Sequence, residues 1–353
     1  MTTPESLSIP APPEQPTGGP ISVVFVVADQ SQVGEVRRRA GVLAAEAGLN
    51  DTERGTLALV ATEAATNLAR YAAGGIVALR TLGLAPSGVE VLALDRSPGI
   101  HDIPKAMMDG YSTGGTAGHG LGAIRRMASE FDLYSSDHTG TALLARIWSA
   151  RAGGAVIAET SREGVVCVPI AGERVCGDGW LFHHAPNRTL AMIVDGLGHG
   201  PDAARAASAA LHVVRAHAGL PLARIIEMAH SALLPTRGAA IAIAEVLPKE
   251  RIVRFAGVGN VSGVVSSANE MRSMVSNHGT MGHTLPTVHE FTYPWTSDSS
   301  LIMHSDGIMT RWNLDAYRGL ATHHPALLAG VLYRDFTRGR DDASVIVFHG
   351  RHQ

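Results

Sequence analysis

The chain has 353 residues, of which 45% are hydrophobic and 17% are charged, and its formal net charge at pH 7 is −3. This length suffices for two domains with separate cores, since one domain takes roughly 100–200 residues. The nearly balanced charge provides no basic surface for nucleic acid or for an anionic membrane. We therefore expect neither nucleic acid nor a membrane among its partners.

The N-terminal segment, residues 1–20, contains six prolines among polar residues and is predicted to be a disordered tail. The N-terminus lacks a basic region followed by an apolar stretch, so a secretory signal is not expected. No apolar run reaches the roughly 18 residues of a membrane helix. Cys167 and Cys176 are the only cysteines, which favours a reducing compartment over a disulfide framework. The predicted location is the cytoplasm.

Residues 21–150 form the first predicted domain, which contains both helices and strands. A buried strand, ISVVFVVAD, precedes two helices, the second of which is capped at Asn50 or Asp51 and ends at Gly74 and Gly75. The runs GIVALRTL and GVEVLALD form a hairpin, LGAIRRMASEF a third helix, and FDLYSS with GTALLARIW a last hairpin. This order predicts an α+β sandwich with its helices on one face of the sheet.

The glycine-rich stretch from Asp95 to Gly122 follows a buried strand and has no helical or strand period. We interpret it as a long, shaped loop, and glycines placed just before a helix leave backbone amides free to surround an anion. A flexible surface loop is the alternative. The strand, the acid, the loop and the following helix together favour a nucleotide pocket.

Two polar residues of the second helix, Glu63 and Asn67, are four positions apart and therefore share one face. Leu59 and Val60 lie on the same side, and burying a carboxylate and an amide there without partners costs several kcal/mol. The alternative is a pair of solvent-facing residues, which the weak amphipathicity of this alanine-rich helix leaves open.

The motifs TEAATNLARYA, DRSPGI, AMMDGYSTG and GHGLGAIRRM occur in order along residues 21–148. Together they resemble the switch serine kinases of the RsbT type, in the GHKL ATPase superfamily, with its Bergerat ATP-binding sandwich. The resemblance implies that Glu63 is the general base, that Asn67 holds Mg²⁺ and that Asp95 binds the adenine amino group of ATP. It implies further nucleotide contacts at Gly99, Gly118, Gly120, Leu121, Gly122 and Thr141.

One residue departs from the family motif, because Ser97 stands where DxGPGI has its first glycine. If that position demands a positive φ or a close backbone approach to adenine, serine costs roughly 1 kcal/mol or more. The affinity for ATP would then be weakened.

Residues 151–163 are small, polar and glycine-containing and are predicted to be a linker. The second domain, residues 164–353, begins with strand-like runs and continues with TLAMIVDGLGHG and two helices, PDAARAASAALHVVRAHA and PLARIIEMAHSAL. Four successive strand candidates follow, and LIMHSDGIMT and DDASVIVFH complete the chain. Strands, two helices and more strands predict a β-sandwich flanked by helices.

Four aspartates of the second domain lie at strand ends: Asp178, Asp195, Asp306 and Asp341. For any single one a turn role is the better explanation, but four in the same context indicate a common site. Oxygen ligands suit Mg²⁺ or Mn²⁺ rather than zinc, and clustered carboxylates repel one another unless cations occupy the site.

The motifs GDGW, VDGLGHG, HSDGIMTRW and RDDASVIV resemble those of the PPM metal-dependent serine/threonine phosphatases, in the compact RsbX/SpoIIE branch. The resemblance implies a centre of two Mn²⁺ or Mg²⁺ ions held by the four aspartates and the Gly196 carbonyl. Asp342 is expected to support these ligands or to be an auxiliary one. His199 is either a leaving-group acid or a structural residue of its glycine-rich turn, and the same alternatives apply to His119 in the first domain.

The leading hypothesis is a bifunctional switch enzyme. The resemblance implies that the first domain phosphorylates a serine or threonine of a STAS-domain protein, with a stressosome complex as a further partner, and that the second domain removes such a phosphate. In the alternative, the first domain binds nucleotide and partner without transferring phosphate. A sensor histidine kinase is disfavoured, because no long dimerisation helices with a phospho-acceptor histidine precede Glu63.

Overall fold

A computed structural model describes residues 19–72, 74–83, 87–108, 120–267, 270–285 and 287–350. Within these residues the chain forms three antiparallel five-stranded sheets and eight α-helices. Among the described helices, none is both long and apolar enough to cross a membrane. The predicted tail lies outside the described residues except for Gly19 and Pro20, whose backbone atoms contact Trp180 through hydrogen bonds.

The first domain is an α+β sandwich, as predicted. Its elements are β1 (Val23–Val27), α1 (Val33–Glu46), α2 (Asp51–Tyr71), β2 (Gly75–Leu82), β3 (Gly88–Asp95), α3 (Ile103–Ala106), α4 (Leu121–Met127), β4 (Glu130–Ser136) and β5 (Gly140–Trp148). The strand order is β1-β2-β3-β5-β4, and α1, α2 and α4 cover one face of this first sheet. The prediction of helices on one face is confirmed.

Two local features explain where the helices of the first domain begin and end. A capping box starts α2, because Glu53 N–H donates to Asn50 Oδ1 at 3.0 Å while Asn50 N–H donates to Glu53 Oε2 at 2.7 Å. The third predicted helix, LGAIRRMASEF, corresponds to α4 and is shorter than predicted. It ends at Met127, because residues from Glu130 onwards pair with β5.

The second domain is a β-sandwich flanked by helices, which confirms the predicted architecture. Its elements are α5 (Gly154–Thr160), β6 (Glu163–Val168), β7 (Asp178–Ala185), β8 (Arg188–Gly196), α6 (Pro201–Ala216), α7 (Leu222–Leu233), β9 (Ala239–Leu247), β10 (Ile252–Val258), β11 (Ser262–Ser267), β12 (Glu270–Met274), β13 (Phe291–Pro294), β14 (Ser300–His304), α8 (Pro325–Phe336) and β15 (Ala343–His349). The second sheet has the order β13-β10-β9-β8-β7, and the third sheet has the order β12-β11-β14-β15-β6. One core lies between these two sheets, and another lies between the second sheet and α6 with α7.

Helix α8 was not predicted, and it connects the two domains. A single core cluster joins its apolar side chains to Leu92, Leu94 and Leu144 of the first sheet and to Ile302 and Val345 of the third. The layers therefore run from α1, α2 and α4 through the first sheet, α8, the third sheet and the second sheet to α6 and α7. The segment predicted as a linker carries α5, and its boundaries stay a prediction.

Candidate active sites

A cavity of about 840 Å³ opens in the first domain between α2, the end of β3 and the start of α4. Seven of the sequence-predicted residues line it: Glu63, Asn67, Asp95, Gly99, Gly120, Leu121 and Thr141. Gly122 is buried in the first turn of α4 and is not part of the lining, while Gly118 and His119 lie outside the described residues. Residues far apart in the chain thus share one wall of a ligand-sized space.

Glu63 and Asn67 face this cavity from α2 and are both half-buried. The alternative of a solvent-facing pair is therefore not what the fold displays. On the cavity side the helix presents a carboxylate and an amide one turn apart, a spacing that brings both to the same region of a bound ligand. Phosphoryl transfer needs a base and a metal ligand, and a carboxylate and an amide oxygen are chemically able to serve as these groups.

Asp95 ends β3 as a buried carboxylate, 7% exposed, and Ser97 holds it in place. The backbone N–H of Ser97 donates to Asp95 Oδ1 at 2.9 Å, and the Ser97 hydroxyl donates to the same oxygen. Among the described non-glycine residues a positive φ occurs only at Asn187 and Arg251, so serine carries no backbone strain at position 97. Of the two conditions for the backbone cost, the positive φ is therefore not met, and a close backbone approach to adenine stays a prediction.

The rest of this wall depends on Gly99 and on two hydroxyls. Gly99 has φ +81°, and a Cβ built there would lie 2.6 Å from Ser136 O, so glycine is required. The neighbouring Ile100 N–H donates to Ser135 Oγ at 2.8 Å, and Ser135 Oγ lies 3.0 Å from Thr141 Oγ1. Lys105 also lines the cavity and was not predicted from the sequence. The chain has only two lysines, Lys105 and Lys249, and this rarity was the one sequence feature that could have marked Lys105 as a candidate.

The second candidate site lies where β7, β8, β14 and β15 bring four aspartates together. Asp178 and Asp195 are direct cross-strand partners on β7 and β8. Asp306 follows β14 by two residues, Asp341 precedes β15 by two, and β14 and β15 are paired. The residues of the predicted common site thus come from both sheets of the sandwich.

Burial and mutual repulsion raise pKa values in this cluster and so disfavour its full negative charge. Burial, followed by the charges of Asp178, Asp306 and Asp341, raises the pKa of Asp195 to about 9. Burial also raises the pKa of Asp178 to about 7, although hydroxyl hydrogen bonds oppose the shift. A bound divalent cation would favour the ionised carboxylates, which fits the oxygen-only donor set.

Hydroxyls and backbone amides hold the acidic cluster from behind. Ser305 Oγ donates to Asp178 Oδ2 at 2.6 Å, and Ser344 Oγ donates to the same oxygen at 2.8 Å. Asp342 accepts hydrogen bonds at 2.7 Å from the N–H groups of Ile170 and of Gly177, so its carboxylate ties these loops together. The two serines were not singled out from the sequence, although both stand inside the quoted motifs.

No ready-made cage for one ion exists among the described residues, where no three His, Cys, Asp or Glu side chains converge on a single position. The Gly196 backbone is fixed beside the cluster by an N–H donated to Gly177 O at 3.1 Å. His199 stands on the rim with Nδ1 2.9 Å from Glu173 Oε1.

Two family models match the chain. Residues 26–147 match the histidine kinase-like ATPase domain, and residues 185–351 match stage II sporulation protein E (SpoIIE). The serine/threonine-protein kinase RsbT of Bacillus subtilis (strain 168) is 34% identical over 107 residues, covering 30% of this chain and 80% of RsbT.

Two further similarities concern the second domain. The phosphoserine phosphatase RsbX of Bacillus subtilis (strain 168) is 25% identical over 138 residues, covering 39% of this chain and 69% of RsbX. A crystal structure of RsbX in complex with magnesium has a TM-score of 0.48 and 22% identity, covering 52% of this chain and 92% of that chain.

Proposed function

We propose that this chain, which belongs to the RsbT family of histidine kinase-like ATPases and joins that domain to a SpoIIE-type, RsbX-like phosphatase domain, both adds and removes phosphate on one class of protein. Residues 21–150 transfer the γ-phosphoryl group of ATP to a serine or threonine. Residues 164–353 hydrolyse phosphoserine or phosphothreonine on the same or a related partner. Fusing the two activities raises their effective concentration near a common target.

The observation that carries the kinase activity is the convergence of Glu63, Asn67 and Asp95 on one cavity. In this proposal Asp95 accepts a hydrogen bond from the adenine amino group. Glu63 accepts the proton of the acceptor hydroxyl as its oxygen bonds to the γ-phosphorus and the bond to the β,γ-bridging oxygen breaks. Mg²⁺, held with the help of Asn67, neutralises phosphate charge when bound.

The observation that carries the phosphatase activity is the cluster of aspartates at the paired strand ends. Asp178, Asp195, Asp306 and Asp341, with the Gly196 carbonyl, are proposed to hold two divalent ions, Mn²⁺ or Mg²⁺. When bound, such ions activate a water and polarise the phosphoryl oxygens. Ser305 and Ser344 orient Asp178, and Asp342 supports the ligands by fixing the backbone at Gly177.

A second candidate function follows from Ser97. Its hydroxyl occupies one oxygen of the carboxylate that is proposed to bind adenine. A first domain with weakened nucleotide binding would serve as a nucleotide-sensing and partner-binding module, and only the second domain would then be an enzyme.

One experiment separates the two candidates. The full chain carrying Asp195→Asn, which retains any label that is transferred, is incubated with γ-labelled ATP and a STAS-domain protein. Label on a serine or threonine of that protein, lost in Glu63→Gln, supports the kinase. Binding of nucleotide and partner without label transfer would refute the kinase and leave the binding module.

The partner and the location follow from the same proposal. The resemblance to RsbT-type kinases supports a STAS-domain protein or a stressosome complex as partner. The use of ATP and the presence of two free buried thiols, Cys167 and Cys176, support a cytoplasmic location.

A further inference from the structure

Helix α8 is buried on all sides because it lies between the first sheet of the first domain and the third sheet of the second. The packing is tight on both sides. A Cβ built on Gly330 would lie 3.1 Å from two carbons of Leu94, and one built on Gly164 of β6 would lie 2.1 Å from Pro325 O. A displacement of this helix would therefore disturb the packing of both domains.

The last turn of α8 is joined to the strand end that carries Asp95. The guanidinium of Arg334, a residue only 8% exposed, donates Nη1–H to the Asp95 carbonyl and Nη2–H to Thr139 O at 2.6 Å. Gly140 is pressed against the same carbonyl, since a Cβ there would lie 2.0 Å from Asp95 O. The buried guanidinium of Arg334, from the second domain, thus binds the backbone of the proposed adenine-binding residue.

Asp335 completes this junction from the neighbouring position. It accepts hydrogen bonds from Arg96 Nε at 2.7 Å, from Arg334 Nε at 2.9 Å and from Tyr317 Oη at 2.8 Å. Burial opposes the charge of Asp335, but the hydrogen bonds from Arg334 and Arg96 outweigh it and hold its pKa below the usual value. Arg96 immediately follows Asp95, so the junction holds both residues of this strand end.

The last residue of α8 and the segment after it are bonded to the loop that follows Asp306. Met309 N–H donates to Phe336 O at 2.8 Å, and Arg338 N–H donates to Gly307 O at 2.8 Å. Gly307 in turn touches the backbone beside Asp341, since a Cβ there would lie 1.9 Å from Asp342 O. The five residues from Arg334 to Arg338 thus connect the strand end at Asp95 to the loops that carry Asp306 and Asp341.

We infer that nucleotide bound in the first domain controls the phosphatase centre of the second through the last turn of α8, with Arg334 and Asp335 as positioning residues. The inference rests on the proposed function. Its physical requirement is that nucleotide and the phosphatase centre both favour one arrangement of a shared element. The segment from Arg334 to Arg338 is such an element, because its first two residues bond to the strand end at Asp95 and its last three pair with the loop after Asp306.

The direction of the effect follows from what adenine would hold. A hydrogen bond from adenine to Asp95 fixes the strand end whose carbonyl accepts from Arg334. Fixing this end stabilises the α8 turn in its bonded arrangement with Gly307 and Met309. Nucleotide should therefore order the Asp306 loop and raise phosphatase turnover, by at least about 5-fold, the lower end of common allosteric couplings.

The first measurement is amide hydrogen exchange of the full chain at saturating ADP with Mg²⁺, compared with the same concentration of free Mg²⁺ alone. Segments containing the Met309 and Arg338 amides should exchange at least about 5-fold more slowly with ADP. GDP is the matched control, because guanine presents a carbonyl oxygen where adenine presents its amino donor. Phosphatase turnover of p-nitrophenyl phosphate is then compared with ADP and with GDP at equal free Mn²⁺.

Two variants test the named residues. Arg334→Lys keeps the charge but cannot reach both carbonyls. Arg96→Gln removes the bonds to Asp335 and to the Arg334 carbonyl from a side chain that is 64% exposed. Both should lose the ADP effect on exchange and turnover when each variant is compared with and without ADP at a concentration that saturates it. The control is His323→Gln, which breaks a 2.9 Å contact between the domains, to Asp132, just before α8 begins, and should keep the effect.

The possible failures are distinguishable. If ADP binds and neither exchange nor turnover changes, the coupling is wrong and the two active sites stand. If His323→Gln abolishes the effect as fully as Arg334→Lys, domain docking in general is responsible and the assignment to Arg334 and Asp335 is overturned. If ADP does not bind, the nucleotide site of the proposed function fails, and the coupling fails with it.

Discussion

Ser97 donates both its hydroxyl and its backbone N–H to one oxygen of the Asp95 carboxylate. The serine therefore acts on the proposed adenine site through a side-chain hydrogen bond and not through backbone strain. A neutral donor already bonded to a carboxylate oxygen competes with an incoming amino group for that acceptor.

Removing this hydroxyl should strengthen nucleotide binding. We expect Ser97→Ala to lower the Kd for ADP by about 5- to 10-fold, the equivalent of one hydrogen bond of about 1 kcal/mol. Calorimetric titration of the full chain measures it. Ser97→Gly should behave like Ser97→Ala because φ at this position is not positive. A gain confined to the glycine variant would show that the backbone demands glycine after all.

Glu63→Gln should abolish phosphoryl transfer to a STAS-domain protein while sparing nucleotide binding and dephosphorylation. The amide keeps the shape of the side chain on α2 but cannot accept the hydroxyl proton, and general base catalysis contributes about 10²–10⁴-fold. Label transfer, ADP affinity and phosphatase turnover are measured on the same preparation. Loss of all three would mean that position 63 supports the fold instead of the reaction.

The aspartate cluster predicts a stability that depends on divalent metal. At a concentration of 100 times its Kd, each of the two proposed Mn²⁺ ions should stabilise the folded chain by about 2.7 kcal/mol, because the ion binds the folded state and relieves repulsion between the clustered carboxylates. Asp195→Asn should lose most of this stabilisation together with phosphatase activity. Thermal unfolding with Mn²⁺ and with EDTA provides the measurement. Unchanged turnover in the variant would contradict the metal-site assignment.

His324 predicts a loss of stability on mild acidification. It caps α8, since Ala326 N–H donates to His324 Nδ1 at 3.0 Å, and it lines a cavity of about 550 Å³ between the domains. Burial, followed by the charges of Arg146, His349 and Arg80, lowers its pKa well below the usual value.

The sign of this effect follows from that lowered pKa. The contribution of neutral His324 is present above about pH 6.5, the unfolded value, and is lost as the pH falls towards the folded value, at up to about 1.4 kcal/mol per pH unit. Asn is also a good N-cap, so His324→Asn should reduce the difference in urea stability between pH 7.5 and 5.5. An equal difference in both proteins would assign the acid sensitivity to other histidines.

Much of the fold was predictable because its strands can be recognised from the local sequence. GIVALRTL and GVEVLALD are β2 and β3 to the residue, since each is a mostly apolar run bounded by turn residues. Helix α8 was not predictable in this way. PALLAGVLYRDF packs against two sheets, so it has no polar stripe and no helical period to detect.

The candidate sites show the same division. Residues that motifs carry, such as Glu63 and Asp195, were identified from the sequence, and the roles given to them stay predictions. The groups that hold them in place were not identified. Ser305 reaches Asp178 across 127 positions and Arg334 reaches the Asp95 carbonyl across 239, and such pairings exist only once the chain is folded.

A glycine beside the proposed metal centre offers the last test. A Cβ on Gly307 would lie 1.9 Å from Asp342 O, so Gly307→Ala must push apart the loops that carry Asp306 and Asp341. We expect a loss of about 1–3 kcal/mol in stability, as for other overpacked sites, and at least about a 10-fold fall in phosphatase turnover with label transfer retained. Gly219→Ala is the control, because nothing lies within 4 Å of its Cβ position. Full turnover in Gly307→Ala would show that the reaction does not depend on how closely these two loops approach.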